Sequence, residues 1–254
     1  MKEKQGVRVL DRALSVLNFM AEERRPVGIT EIAEATRLSK ATVHRILATL
    51  QLHGVVLKDR ESKYQIGPAV LLWAESHRRA SSLLEISRPH LESLWEISKE
   101  TVHLFVYENG AAYYLEKLES PHPVGMRSRI GARLSLYSTS AGKAILAALP
   151  ENELCRYLSE AAFEPKTSHT KSKPEELRKE LEMIRQRGYA EDNQENEEGI
   201  RCVGAAILDF RGYPVGAVSI SAPAYRFSGA KSSRLGEKVK EAALLISREL
   251  GYKR

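Results

Sequence analysis

The segment SKATVHRILATLQLH at residues 39–53 has the spacing of an amphipathic helix. Val43, Ile46, Leu47 and Leu50 form an apolar stripe, and Lys40, Ala41, Thr42, His44, Arg45 and Thr49 point away from it. The outward set is rich in hydrogen-bond donors, and no acid occurs between Ser39 and Leu57. A face that meets phosphates and base edges has this character. Ser39 suits the N-cap of this helix, and Thr30 suits that of the helix before it. Lys58, Arg60 and Lys63 follow on a charged turn, where they would neutralise flanking phosphates.

A second constellation lies in the distal part of the chain. Ser219 and Ser221 are two apart and share one face of a strand, opposite Val218 and Ile220, which suits the wall of a small polar cavity. Ser140 stands where a helix begins. It reads either as a helix cap or, with the first-turn amides from Ala141 to Lys143, as a holder for a carboxylate. Asp192 can accept hydrogen bonds from sugar hydroxyls, and Cys202 is either an ordinary buried thiol or a small wall and weak donor. Together these residues describe a site for a hydroxylated acid.

Ser140-Ala141-Gly142-Lys143 also fits the S-x-x-K pattern of serine acyl-enzymes, but the S-D-N and K-T-G companions are missing. Cys202 as a nucleophile would need a histidine base, and nothing in the spacing brings His103, His122 or His169 beside it. H-E-x-x-H, the P-loop pattern and G-x-G-x-x-G do not occur, so no catalytic residue, metal or cofactor is expected. Cys155 and Cys202 have neither C-x-x-C spacing nor paired histidines, which speaks against a zinc site and a disulfide framework.

These groups sit in 254 residues, 43% hydrophobic, enough for one large domain or two smaller ones. The net charge of +6 is uneven: residues 1–80 hold 14 Lys/Arg against 9 Asp/Glu, and residues 81–254 hold 25 against 24. A basic module on a near-neutral body suits a polyanion. No apolar run approaches the roughly 18–20 residues that cross a bilayer, so a cytoplasmic protein without membrane partners is expected.

The elements that must position these residues follow from periodicity. Leu10, Ala13, Leu14, Leu17 and Met20 mark a helix over residues 8–23; a short helix closes near Arg37; the 39–53 helix stops at Gly54. Two short strands around 55–57 and 63–66 complete a winged helix-turn-helix over residues 1–67. A long linker helix is expected over 68–88, ending before Pro89, with a second helix over 89–99. The period then becomes two at Val102, Leu104 and Val106, and Asn109-Gly110 signals a hairpin into 112–116. Further strands are expected at 124–128, 200–209 and 215–221, with helices near 140–148, 153–159, 174–187 and 229–250. The fold class is α+β, with a third domain segment over 89–254.

SKATVHRILATLQLHGVV (39–56), LYSTSAGKAILA (136–147), GYAEDNQENEEGIRCVGAAILD (188–209) and AVSISAP (217–223), in this order and separation, resemble the IclR family of bacterial transcriptional regulators along nearly the whole chain. RSRIGARLSLYSTSAGK and EDNQENEEGIRC are most similar to the branch that governs pectin and 2-keto-3-deoxygluconate catabolism. The resemblance implies a winged helix and a GAF-like effector-binding domain, a homodimer or dimer of dimers, and a roughly palindromic double-stranded DNA operator. It also implies a small organic acid as effector, most often with repression as the outcome. Carried across by motif, the effector-binding residues are Met126, Ser140, Ala141, Asp192, Cys202, Ser219 and Ser221. An aromatic or short keto acid such as pyruvate or glyoxylate is the alternative effector, and 7% aromatic residues offer no obvious stacking platform.

Overall fold

The computed structural model describes residues 7–80, 82–123, 126 and 128–253. The chain divides into two compact units, Met1–Ser81 and Ser82–Arg254.

In the first unit α1 (Arg8–Glu23), α2 (Ile29–Thr36) and α3 (Lys40–Leu52) precede β1 (Val56–Lys58), β2 (Tyr64–Ile66) and α4 (Ala69–Ala80). Val16, Met20, Ile32, Val43, Leu47, Val56 and Tyr64 form the core that fixes α3 against its neighbours. β1 and β2 pair antiparallel, and Asp59 Oδ1 folds the turn between them by accepting from the amides of Glu61 and Lys63, each at 2.9 Å. Val27 adds a third, single-residue bridge, exchanging hydrogen bonds of 2.9 and 2.8 Å with Tyr64. One residue between Pro26 and Gly28 carries no strand periodicity, so this edge is invisible in the sequence.

Two local expectations are corrected. Thr30 does not cap α2: the cap is Gly28, whose amide donates to Glu31 Oε1 at 3.1 Å, and Thr30 lies one residue inside the helix. The glutamate reaches back to the free amide, so a cap side chain is not needed. In α1, Leu10 and Leu14 are 59% and 57% exposed, and Val16 with Met20 takes the buried face.

The second unit begins with α5 (Ser82–Ser98). Of the run expected as one linker helix, residues 69–80 lie in α4 and residues 82–88 in α5, and residue 81 lies outside the described residues; α5 runs on through the expected boundary at Pro89. α5 continues through Pro89 because that residue is exposed, and the Glu85 carbonyl freed by its missing N–H can meet water. β3 (Thr101–Glu108), β4 (Ala111–Leu118), β5 (Arg133–Leu134), β6 (Ala190–Asn193), β7 (Ile200–Leu208) and β8 (Pro214–Pro223) form one antiparallel sheet in the order β5-β4-β3-β8-β7-β6. The β3–β4 turn has φ 51° at Asn109 and 77° at Gly110, as a two-residue hairpin requires. β5 and β6 were not expected as strands. The strand expected at 124–128 falls partly on residues 124, 125 and 127, which lie outside the described residues, and Met126 and Ser128 belong to no strand.

Alternation sorts the sheet into two faces. Leu104, Val203, Ala205, Val218 and Ile220 pack under α5 and α9 (Gly229–Glu249). Phe105, Tyr107 and Ala217 pack against α6 (Ser140–Ala148), α7 (Glu151–Glu160) and α8 (Pro174–Arg187). Among the described residues no helix is long and apolar enough to cross a membrane.

Candidate nucleic-acid interface and effector cavity

α3 buries Val43, Ile46 and Leu47 and leaves Lys40, His44, Arg45 and Thr49 exposed, with Thr42 half-buried. Ser39 caps it: its hydroxyl accepts from the Thr42 amide at 3.2 Å and shares a 2.9 Å hydrogen bond with the Thr42 hydroxyl. Thr49 spends its hydroxyl on the Arg45 carbonyl at 3.1 Å, which leaves the side chains of Lys40, His44 and Arg45 as the donors of this face without a partner among the described residues. Lys58, Arg60 and Lys63 are exposed on the β1–β2 hairpin, as is Thr30 at the start of α2. Lys63 already pairs with Glu61 at 3.0 Å, and Lys58 stacks 5.6 Å from the Tyr64 ring.

The sheet register builds the second site. Asp192, Cys202, Ser221 and Thr101 are successive partners across β6, β7, β8 and β3; Ala190, Gly204, Ser219 and His103 form the row two residues along. Two apart, these rows share a face. The N-terminus of α6 lies on that face because Gly204 has no side chain: a Cβ there would stand 2.8 Å from the Ala141 nitrogen. Thr139 caps α6, accepting from the Gly142 amide at 3.1 Å, so Ser140 is the first helical residue and not the cap. Lys143 makes the first intrahelical bond, to the Thr139 carbonyl at 2.9 Å, and the amides left over are those of Ser140 and Ala141.

Met126, Ser140, Ala141, Asp192, Cys202, Ser219 and Ser221 all line one cavity of about 60 Å³. Its wall also includes His103, Phe105, Tyr114, Ser128, Thr139, Asn196 and Glu197, none of them foreseen. The rings of His103, Phe105 and Tyr114 meet tilted or edge-on at centroid distances of 4.7 to 5.8 Å, an aromatic wall that the low aromatic content concealed. The alternation Val102, Leu104, Val106 already put His103 on the opposite face of β3. What no local pattern shows is that β3 pairs with β8, far along the chain.

Burial pushes the Asp192 carboxyl up to about 7, against the opposing pull of the Glu195 and Asn196 amides and of Lys143. Burial and the charge of Asp192 raise the Cys202 thiol well above its usual range. His103 is held neutral, lowered to about 3 by burial and by the nearby Lys117 ammonium. The cavity thus offers neutral donors and acceptors together with a carboxyl that titrates near neutrality.

Lys143 has no access to solvent. Its ammonium lies 2.8 Å from Glu180 Oε1 on α8 and 2.6 Å from Glu195 Oε1, and Lys171 approaches the same two carboxylates at 2.8 and 3.4 Å. Burial alone would raise the Glu180 carboxyl, but the two lysines outweigh it and hold it below its ordinary value. The S-x-x-K lysine therefore serves two carboxylates, which is a poor arrangement for a base toward Ser140.

Residues 77–248 match the family model described as the bacterial transcriptional regulator IclR C-terminal domain, and residues 9–60 match the IclR helix-turn-helix domain. The HTH-type transcriptional regulator KdgR of Dickeya chrysanthemi is 33% identical over 252 residues, spanning 99% of this chain and 82% of its own. The HTH-type transcriptional regulator BhcR of Paracoccus denitrificans is 35% identical over 247 residues, spanning 97% and 88%. The crystal structure of Thermotoga maritima IclR is similar at a TM-score of 0.81 and 38% identity, covering 96% of this chain and 99% of that one.

Proposed function

Because the chain belongs to the IclR family of bacterial transcriptional regulators, we propose that it represses carbon-source catabolism genes and releases its operator, or rebinds it differently, when a small organic acid enters the cavity of the second unit. Its DNA contacts are Lys40, His44 and Arg45 on α3, with phosphate neutralisation from Lys58, Arg60 and Lys63 and lesser roles for Thr30, Ser39, Thr42 and Thr49. The effector contacts are Met126, Ser140, Ala141, Asp192, Cys202, Ser219 and Ser221. The observation that carries the reading is the convergence of those seven residues, from separate elements, on one cavity.

The acid's carboxylate suits the Ser140 and Ala141 amides, and its other oxygens suit Ser219, Ser221 and Asp192. 2-Keto-3-deoxygluconate is the effector favoured by the 33% identity to KdgR and by the motifs at 127–143 and 191–202. A short keto acid such as pyruvate or glyoxylate is the second reading, favoured by the 60 Å³ volume, well under the roughly 300 Å³ of ordinary ligand pockets. A homodimer or dimer of dimers on a roughly palindromic operator fits the exposed Leu10, Leu14, Leu71, Leu72 and Trp73 of the first unit. Effector and operator then oppose one another through a single coupling free energy, so each changes the other's affinity by one shared factor.

A fluorescence-anisotropy titration onto the DNA upstream of its own gene tests the reading, at two salt concentrations, with and without 2-keto-3-deoxygluconate and pyruvate. Tight, salt-sensitive binding shifted by one of the acids is expected. Tight binding that neither acid shifts removes both effector assignments.

A further inference from the structure

His103 is a wall residue of the cavity that the effector assignment leaves unused. It is 2% exposed, and its Nε2 lies 2.7 Å from Ser128 Oγ. Its Nδ1 is buried and has no hydrogen-bond partner among the described residues. The ring cannot easily turn that nitrogen elsewhere. Tyr114 stands edge-on at 5.2 Å, and Lys117 fixes the segment that carries Ser128 by donating to the carbonyls of Met126 at 2.9 Å and Ser128 at 3.3 Å.

A buried ring nitrogen with no partner among the described residues, on a side chain that lines a void, calls for a partner that occupies the void. The imidazole is neutral, so one nitrogen carries a proton and the other a lone pair. The Ser128 hydroxyl can donate or accept, which lets the ring take either tautomer. Nδ1 can therefore receive a hydroxyl or present an N–H to a keto oxygen. Ser219, the cross-strand partner of His103, lies beside it to share the same atom.

We infer that His103 is a specificity-determining residue whose Nδ1 binds a keto or hydroxyl oxygen of the effector, selecting acids that carry such an oxygen beyond the carboxylate. The inference rests on the effector-cavity reading above.

Two substitutions separate the nitrogens. His103→Gln places an amide where Nε2 stands and keeps the reach to Ser128, but leaves nothing at Nδ1. His103→Asn keeps a polar atom at the Nδ1 position and gives up Ser128. Calorimetric titration of the full-length protein with pyruvate, glyoxylate and 2-keto-3-deoxygluconate identifies the probe that wild type binds most tightly. For that probe the Gln variant is expected to bind about ten-fold more weakly, and the Asn variant within about three-fold of wild type.

Equal affinity of wild type and the Gln variant overturns the inference and means that water satisfies Nδ1. Equal losses in the Gln and Asn variants also overturn it, because the ring would then act through Ser128. Should the Gln variant not fold, His103→Leu carries the test: it has nearly the shape of Asn without the polar atom at the Nδ1 position, about ten-fold weaker binding than the Asn variant is expected, and equal affinity of the two overturns the inference. If wild type binds none of the three acids, the effector reading itself falls and takes this inference with it.

Discussion

The backbone N–H of Glu195 donates to Asp192 Oδ1 at 2.7 Å, so one short turn joins the carboxyl of the cavity to the carboxylate that holds Lys143. The two acids have opposite fates. Glu195 is offset by two lysines, and Asp192 is buried at the edge of their influence, with its carboxyl pushed up to about 7.

A pH dependence of stability follows. Asp192 has a folded-state value above its unfolded one near 4, so between about pH 4 and 7 the folded protein keeps a proton that the unfolded chain gives up. The contribution of Asp192 to stability should fall across that window and level off above it, opposite in sign to that of lowered carboxylates such as Glu180. Asp192→Asn keeps the acceptor for Glu195 and has no charge to develop. Its stability advantage over wild type, read from urea midpoints, should grow by about 3 kcal/mol between pH 5 and pH 8. A gap that stays constant with pH would mean that Asp192 ionises normally.

Removing the buried cation should be severe. Lys143→Met leaves Glu180 and Glu195 with only the more exposed Lys171 to offset two buried charges, and a loss of about 3–5 kcal/mol is expected. Adding Glu180→Gln and Glu195→Gln to the same chain should recover most of it, because the uncompensated charges are then gone. A triple variant no more stable than Lys143→Met would point to packing around α6 as the cause.

Local patterns made the first unit legible. The α3 stripe, the Ser39 cap and the hairpin all depend on residues within a few positions of one another. The misreadings there have the same root: Gly28 caps α2 because Glu31 reaches back, and the Val27 bridge is defined by Tyr64, 37 positions on. In the second unit the strands and helices were largely visible, but β5 and β6 were too short to show a period. Six of the seven cavity residues could be argued from their own chemistry, Ala141 through its first-turn amide, and Met126 rested on motif likeness. His103 and Tyr114 were hidden because strand order, set by non-local pairing of β3 with β8, decides what faces what.

Gly204, on β7, is where the sheet meets α6. A methyl group there would stand 2.8 Å from the Ala141 nitrogen and 3.0 Å from the Ser140 carbonyl carbon, both backbone atoms of α6. Gly204→Ala should therefore cost about 1–3 kcal/mol and weaken acid binding together with stability, since the displaced amides belong to the cavity. Gly199→Ala is an unsuitable control, because its φ of 77° brings strain of its own. Gly229→Ala is suitable: it has open space and ordinary backbone, and calorimetry should find it like wild type.

The DNA assignment makes the sharpest division among residues. Arg45 projects from the middle of α3 with Lys40 and His44, on the face that enters the major groove in a helix-turn-helix, whereas Lys58 and Arg60 sit on the hairpin. A base-edge contact discriminates sequences, and a phosphate contact does not. Arg45→Ala should reduce affinity for the upstream DNA far more than affinity for an unrelated duplex of equal length. Lys58→Ala and Arg60→Ala should weaken both duplexes alike, each lowering the slope of log K against log salt by about 1. All three variants should bind acid as wild type does, because their positions lie in the first unit and the cavity is built wholly within the second. If Arg45→Ala lowers both duplexes equally, Arg45 is a phosphate contact, and base readout passes to Lys40, Thr42 and His44.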